Sequence, residues 1–291
     1  MTGAEMGILM LTCPLGEDVQ PLEYHQFHFL RQQLASAQPT EDRDLGEADL
    51  RAMGLSRDFS AQIIRLLDRQ RQLEFYLSAA ARRGITPLTR LDGVFPRKLE
   101  EKLRTACPPA LFCKGNPDLL SLPAIAAVGS RRIDEPNQRF AWHVGELAAK
   151  EGYAVVSGGA MGADFAAQDA CLQNGGKVIV FTPEPLESFR YKENVVYLSE
   201  EGWEMEFTAR RALNRNRLIH AMGEKSFVAQ CSYGKGGSWR GAEENLRQGY
   251  SPLFVYDDGR SGAKGLMERG AIGVREIASI RNMKNDQQSF F

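Results

Sequence analysis

The sequence of 291 residues lacks several features that would place it in a class at once. No apolar run reaches the roughly 18 residues that a membrane-spanning helix needs. Residues 1–16 lack a basic start, and their apolar part is too short for a secretory signal peptide. We therefore expect a cytoplasmic protein with no membrane partner. The five cysteines are odd in number and form no CxxC pair, which predicts reduced, mostly buried thiols.

The side-chain sets that carry catalysis or hold metals are also missing. No Ser/His/Asp, Cys/His or paired-carboxylate arrangement accompanies the glycine-rich loops, so we do not expect an enzyme. His25 and His28 have the spacing of a helical ligand pair, but no cysteine or acidic cluster joins them. His143 and His220 fall in predicted helices and are expected to pack or to face solvent. We predict no catalytic residue, no metal ligand and no cofactor.

The net charge of −1 excludes a polycation that binds nucleic acid through its whole surface. Any such binding must come from a local patch. The segment Thr208–His220 carries Arg210, Arg211, Arg215 and Arg217 with no acidic residue, and it predicts such a patch. A solvated basic helix face is the alternative interpretation. Contents of 43% hydrophobic and 25% charged residues are those of an ordinary globular chain.

Residues 1–84 are predicted to form a small helical N-terminal domain. Apolar residues at helical spacing indicate helices at 24–37, 47–55 and 61–84. The arrangement suits either a helical packing module or a SAM-like or helix-hairpin-helix-like unit. Residues 85–123 are broken by six prolines and are predicted to connect this domain to a sheet and to pack on it, with short strands at 85–87 and 110–114.

Strand and helix patterns alternate from residue 124 to about 280, before a tail at 281–291. Short apolar runs predict strands at 125–128, 154–157, 178–181, 227–230 and 253–256. Amphipathic stretches predict helices between them at 137–150, 163–172, 207–222 and 238–248. Residues 262–274 indicate a short helix and a return to the sheet edge. This alternation predicts an α/β fold with a Rossmann-like, doubly wound, mostly parallel sheet.

Three strand-to-helix turns are rich in glycine, serine and cations. The first is Val128–Arg131, the second is Ser157–Asp164, and the third is Gly234–Trp239 with Lys235. Glycines allow close backbone approach, and free N–H groups at a helix start favour anions. The second loop is neither GxGxxG nor a Walker A loop. Plain turns, or glycines that serve only helix–strand packing, are the alternatives. Asp164 is expected to cap its helix or to hold an arginine in place.

Because parallel strands end at one edge of a sheet, these turns are predicted to meet in one phosphate-binding site. Asn214–Arg217 adds two arginines that share no helix face, so one can face the loops while the other pairs internally or contacts a different phosphate. The candidate phosphate-binding residues are Gly129, Ser130, Arg131, Ser157, Gly158, Gly159, Gly162, Arg215, Asn216, Arg217, Lys235, Gly237 and Ser238.

Several segments in this order resemble a known family. They are FPRKL (95–99), PPALFCKGN (108–116), VGSR (128–131), SGGAMGAD (157–164), CLQNGGKVIV (171–180), Ser199-Glu200 and RNRLI (215–219). Over about residues 88–274 the chain resembles the DNA-processing protein A (DprA/Smf) family. It departs from the family pattern at Gln168, where histidine is common, and in the elements that contain Gly241 and Lys264.

The resemblance implies a Rossmann-like core that binds single-stranded DNA without sequence preference. It also implies that the protein protects incoming DNA in natural transformation, helps to load the recombinase RecA, and forms a homodimer without catalytic chemistry. By motif position, it assigns phosphate contacts to Arg131, Ser157, Gly158, Arg217 and Lys235.

Two interpretations compete with this one. A nucleotide-binding sensor or nucleotide-processing enzyme can share the fold, although the PGG-x-GT-x-x-E motif of related phosphoribohydrolases is missing. A pure interaction module would instead expose a large apolar patch. Trp239, Phe165 and Tyr233 are candidates for stacking on bases, with core packing as the alternative for Trp239.

Overall fold

Nine strands form one sheet in the computed structural model, which describes residues 1–17, 19–36 and 46–284. In chain order, the strands are β1 (Ile85–Thr89), β2 (Ala110–Lys114), β3 (Ala124–Val128), β4 (Ala154–Ser157), β5 (Val178–Phe181), β6 (Val195–Ser199), β7 (Ser226–Val228), β8 (Leu253–Tyr256) and β9 (Ile272–Val274). Across the sheet, they follow the order β1-β2-β6-β5-β4-β3-β7-β8-β9. The β1–β2 and β2–β6 pairs are antiparallel and the other pairs are parallel. The predicted Rossmann-like, mostly parallel fold is confirmed.

Helices precede the sheet and lie between most of its consecutive strands. They are α1 (Gly3–Thr12), α2 (Tyr24–Ser36), α3 (Glu47–Ala52), α4 (Arg57–Leu67), α5 (Gln70–Arg82), α6 (Arg97–Leu103), α7 (Glu135–Glu151), α8 (Ala163–Gln173), α9 (Ala209–Asn214), α10 (Asn216–Met222), α11 (Gly236–Gln248) and α12 (Ser261–Met267). No helix in the described ranges is long and apolar enough to cross a membrane.

The chain reverses its direction across the sheet between β3 and β7. From β3 it moves outward through β4, β5 and β6, and it then returns to place β7 on the other side of β3. The loops that leave β3 and β7 therefore meet at one edge, where the Ser130 N–H donates to the Gln230 carbonyl oxygen at 2.9 Å. Such a switch point opens a crevice at the carboxyl ends of the strands. The crevice lies where the predicted phosphate loops converge.

The N-terminal helices divide between two hydrophobic clusters. Helix α1, which the sequence did not predict, begins at a capping box of Thr2 and Glu5. Its Leu9 joins Tyr76 and Phe112 in the cluster that covers one face of the sheet. Helices α2, α3 and α4 form a separate cluster around buried leucine and isoleucine side chains. The predicted division at residue 84 stays a prediction.

The observed elements differ from the predicted ones at a few points. Segment 85–123 was expected to pack on the sheet, but its strands β1 and β2 are part of the sheet itself. The single helix predicted over 61–84 is split into α4 and α5 at the buried Arg69, whose guanidinium donates to carbonyl oxygens near the end of α1, including Cys13 O at 3.0 Å. Strand β6 was not predicted. Residue 37 of the first predicted helix and residues 285–291 of the predicted tail lie outside the described residues.

All five cysteines are free and buried, as predicted.

The buried polar groups include a histidine. His220 of α10 is 1% exposed, which agrees with the expected packing role. Its Nδ1 lies 2.8 Å from Ser226 Oγ, which lies 2.6 Å from Ser251 Oγ. Burial lowers the pKa of His220 to about 4, so the folded protein holds a neutral imidazole in this chain of hydroxyl groups.

We predict that His220 makes the folded state less stable in mild acid. In the unfolded chain, histidine titrates near pH 6.5, so below that pH the unfolded state binds a proton that the folded state excludes. Stability should therefore fall as the pH drops from about 6.5 towards 4, by about 1.4 kcal/mol per pH unit. Urea unfolding at about pH 7.5 and pH 5 measures the loss. In His220→Gln, the loss should be smaller by about 2 kcal/mol. An equal loss in both proteins would contradict the prediction.

Candidate functional site

A pocket of about 620 Å³ opens at the switch point between β3 and β7. We call it the switch-point pocket. The loop after β3, the start of α8, helices α9 and α10, and the first turns of α11 contribute to its wall. Eight of the predicted candidates line it together: Gly129, Ser130, Arg131, Arg215, Asn216, Lys235, Gly237 and Ser238. The predicted convergence of loop residues is therefore present for this set.

Glycines allow the loops to approach so closely. A Cβ at Gly129 would lie 2.5 Å from the Ala163 Cβ, and one at Gly162 would overlap the carbonyl oxygens of Ser130 and Arg131. Gly162 also has a φ of +90°, which other residues rarely adopt. The loop after β3 is thus held directly against the start of α8.

Two oppositely charged side chains, Asp164 and Arg215, lie close together at the pocket. The Asp164 carboxylate is 4% exposed and accepts the Gly158 N–H at 2.9 Å. The Arg215 guanidinium lies against Gly158, and its Nη2 donates to the Gly158 carbonyl at 3.1 Å. Burial raises the pKa of Asp164, and the nearby Arg215 charge and backbone N–H groups oppose that shift. Asp164 therefore fixes the loop after β4 through the Gly158 N–H, and its charge lies near that of Arg215. That it holds the arginine in place, as the sequence suggested, stays a prediction.

Four cationic side chains line the pocket against one acidic side chain, Asp164. Arg131, Lys235 and Arg240 are exposed. No carboxylate in the described ranges forms a salt bridge with any of these three. Helix α11 begins here without a side-chain cap, so its first backbone N–H groups are available to a ligand. The pocket is suited to an anion.

Arg240 and Phe207 also line the pocket and were not among the candidates. Arg240 follows Gly236 by four positions and so lies one turn along the same face of α11 as the start of that helix. That spacing could have identified it. Phe207 lines the pocket and is 42% exposed. Of the aromatic side chains proposed for stacking, Phe165 and Tyr233 are exposed, whereas Trp239 is buried in the core.

Four of the predicted phosphate contacts lie in the loop after β4 but do not line the pocket. Ser157 is fully buried and accepts a hydrogen bond from Gln168 Nε2. Gly158, Gly159 and Gly162 lie in the same loop, where Ala160 and Asp164 are the residues that face the pocket. The small residues of this loop are therefore explained by close packing.

The structure does not bring Arg217 into the pocket. Its guanidinium is paired with Glu200, with Nη1 to Oε2 at 3.1 Å, and Nη2 also donates to the Ala106 carbonyl. This matches the alternative in which one arginine of Asn214–Arg217 faces the loops and the other pairs internally.

The basic patch predicted over Thr208–His220 is also largely neutralised. Arg210 Nη1 lies 3.2 Å from Glu201 Oε1, and the buried Arg211 Nε lies 3.1 Å from Glu201 Oε2. Arg211 also donates to backbone carbonyls, including Glu206 O at 2.9 Å. Glu201, which follows β6 nine and ten residues before these arginines, therefore reduces the positive charge of the patch.

We predict that Gly162→Ala destabilises the protein much more than Gly234→Ala. Both glycines have positive φ, at +90° and +67°, but a Cβ at Gly234 meets nothing within 4 Å. Strain alone should cost about 1–2 kcal/mol at Gly234. At Gly162, overlap with two carbonyl oxygens should raise the cost to about 3 kcal/mol or more. Urea unfolding gives both free energies, and equal losses would show that the close approach to Ser130 is not a constraint.

Comparison with known proteins assigns the chain to a family. Residues 86–285 match the family model of DNA recombination-mediator protein A. The DNA processing protein DprA of Streptococcus pneumoniae is 32% identical over 195 residues, which are 62% of this chain and 68% of that protein. Protein Smf of Borreliella burgdorferi is 28% identical over 209 residues, 65% of this chain and 62% of that protein. The match thus spans about two thirds of each relative.

Solved structures agree with this assignment. The X-ray structure of DprA from Streptococcus pneumoniae has a TM-score of 0.74 at 25% identity and covers 94% of this chain and 95% of that one. A structure of DNA processing protein A from Helicobacter pylori, described for its single-stranded DNA binding mode, has a TM-score of 0.55 at 28% identity and covers 66% and 91%. The chain belongs to the DNA recombination-mediator protein A (DprA/Smf) family, as its motifs predicted.

Proposed function

We propose that this protein binds single-stranded DNA without sequence preference and holds the sugar–phosphate backbone in the switch-point pocket. The observation that carries the proposal is the convergence of three exposed cations, Arg131, Lys235 and Arg240, with the uncapped start of α11 in one pocket. The described binding mode of the Helicobacter pylori relative supports it.

The chemistry of the pocket accounts for both affinity and lack of sequence preference. Arginine and lysine bind phosphate oxygens and release counterions from the nucleic acid. Backbone N–H groups add contacts that carry no base information. The exposed Phe207 ring at the pocket offers a surface on which any base can stack, which contributes about 1–3 kcal/mol per base.

We further propose that the bound strand is protected and passed to the recombinase RecA, that the protein works as a cytoplasmic homodimer, and that it catalyses no reaction. The match to a family of recombination mediators supports the role. Two pockets on one strand would raise the apparent affinity through effective concentration. Light scattering measures the mass in solution, and RecA filament growth on coated single strands measures the loading.

A mononucleotide is the second candidate ligand. The pocket volume of about 620 Å³ falls within the range of about 300–1,000 Å³ that is usual for small-molecule sites, and switch points commonly bind nucleotides. Thermal-shift screening with nucleoside phosphates and with short oligonucleotides distinguishes the two. A nucleotide that stabilises the protein more than an oligonucleotide does would favour the sensor or enzyme.

We predict that Arg131→Ala and Lys235→Ala each weaken oligonucleotide binding about tenfold, because each removes a charge-assisted phosphate contact. Each should also reduce the slope of log affinity against log salt concentration by about 0.7. Fluorescence anisotropy across a salt series measures both quantities. Arg247→Ala is the matched control, since Arg247 is exposed on α11 outside the pocket lining. A salt-independent affinity, or equal binding to duplex DNA, would contradict the proposed function.

A further inference from the structure

A larger cavity of about 770 Å³ adjoins the switch-point pocket, and we call it the N-terminal groove. Residues 12, 14 and 20–25 form one wall, and residues within 105–106, 200–217 and 240–244 form the other. Leu213 and Arg240 line both cavities. A ligand that leaves the switch-point pocket past Arg240 therefore enters the groove between the N-terminal helices and the sheet domain.

The charge of the groove differs from that of the pocket. Among the described residues, four acidic and three arginine side chains line it, so this lining is not cationic overall. Two of its acids form salt bridges with arginines, Glu200 with Arg217 and Glu201 with Arg210 and Arg211. Glu23 Oε2 lies 3.2 Å from His25 Nδ1. The groove should not attract a phosphate backbone, because its lining carries no net positive charge.

The uncharged residues that line the groove are divided about equally between apolar side chains and side chains that can form hydrogen bonds. Pro14, Pro21 and Met205 contribute apolar surface. His25 and Asn214 are exposed, and both the His25 Nε2 and the Asn214 side-chain amide can form hydrogen bonds with a ligand. Flat, neutral rings with donors and acceptors at their edges suit such a surface, and unstacked bases of single strands have this character.

We propose that the N-terminal groove receives unstacked bases of the same strand whose phosphates lie in the switch-point pocket, with Arg240 at the junction. The N-terminal segment around α2 is then part of the DNA-binding site. The proposal rests on the proposed function. A single strand carries its negative charge on the phosphates, whereas its bases are neutral rings. The cationic pocket suits the phosphates, and the adjoining groove suits the bases.

The first test separates base contacts from phosphate contacts. The double variant His25→Ala/Asn214→Ala removes groove side chains that do not line the pocket. It should bind a normal oligonucleotide about 3- to 10-fold more weakly, the loss expected for one or two hydrogen bonds. It should bind an abasic strand of the same length as wild type does, because that strand keeps every phosphate. Arg131→Ala should weaken both complexes, and Arg247→Ala should weaken neither.

Unchanged affinity of the double variant for both strands, or an equal loss on both, would overturn the groove proposal. An unchanged thermal midpoint confirms that the variant is folded. Photo-cross-linking of the wild-type protein to an oligonucleotide that carries 5-iododeoxyuridine gives a second readout. Cross-links to residues 20–25 or to Met205 support the proposal, and cross-links confined to residues that line only the switch-point pocket reject it. A wild-type protein that binds no oligonucleotide would instead reject the proposed function, so the two failures are distinguishable.

Discussion

The Arg215 guanidinium, buried against Gly158, organises the candidate site. Removing a guanidinium from water is costly unless its charge and N–H groups find partners. Here Asp164 supplies a nearby opposing charge, and Asn216 Oδ1 and the Gly158 carbonyl accept hydrogen bonds from Nη1 and Nη2 of Arg215. The buried Arg215 Nε has no hydrogen-bond partner among the described residues. Asn216 in turn donates to the Gly237 carbonyl at 3.1 Å and so fixes the start of α11. One buried charge thereby sets the loop after β4, the start of α10 and the start of α11 relative to one another.

The exposed cations of the pocket contrast with several other arginines, whose guanidinium groups have partners within the protein. Arg69 and Arg90 are buried and donate to backbone carbonyls, and Arg211 and Arg217 are held by glutamates. The segment with the highest local density of arginine therefore contributes little free charge. A nearly neutral protein can still present a cationic pocket, because Arg131, Lys235 and Arg240 converge there and none of them has a carboxylate partner among the described residues.

The fold was largely predictable from local patterns, whereas the charge distribution was not. Strands β4, β5 and β8 have the predicted bounds, because short apolar runs between helices have few alternatives. The convergence of the loops followed from parallel topology. The pairing of Arg217 depends on Glu200, which follows the unpredicted β6, and no local pattern reveals which strands become neighbours. Helix α1 was missed for a similar reason, since its buried face packs on Tyr76 and Phe112, which are distant in sequence.

The distinction between free and paired arginines also determines which of them can contribute to affinity. A ligand phosphate at Arg217 would have to displace Glu200 from a nearly buried pair, and a carboxylate left buried without its partner is strongly unfavourable. At Arg131, Lys235 or Arg240, no ion pair with a described residue must break. The loop backbone beneath these side chains is already fixed by glycine contacts and by Arg215, so binding need order only the side chains themselves. Phosphate affinity should therefore come from the exposed side chains of the pocket, and the arginines paired with Glu200 and Glu201 should contribute to stability instead.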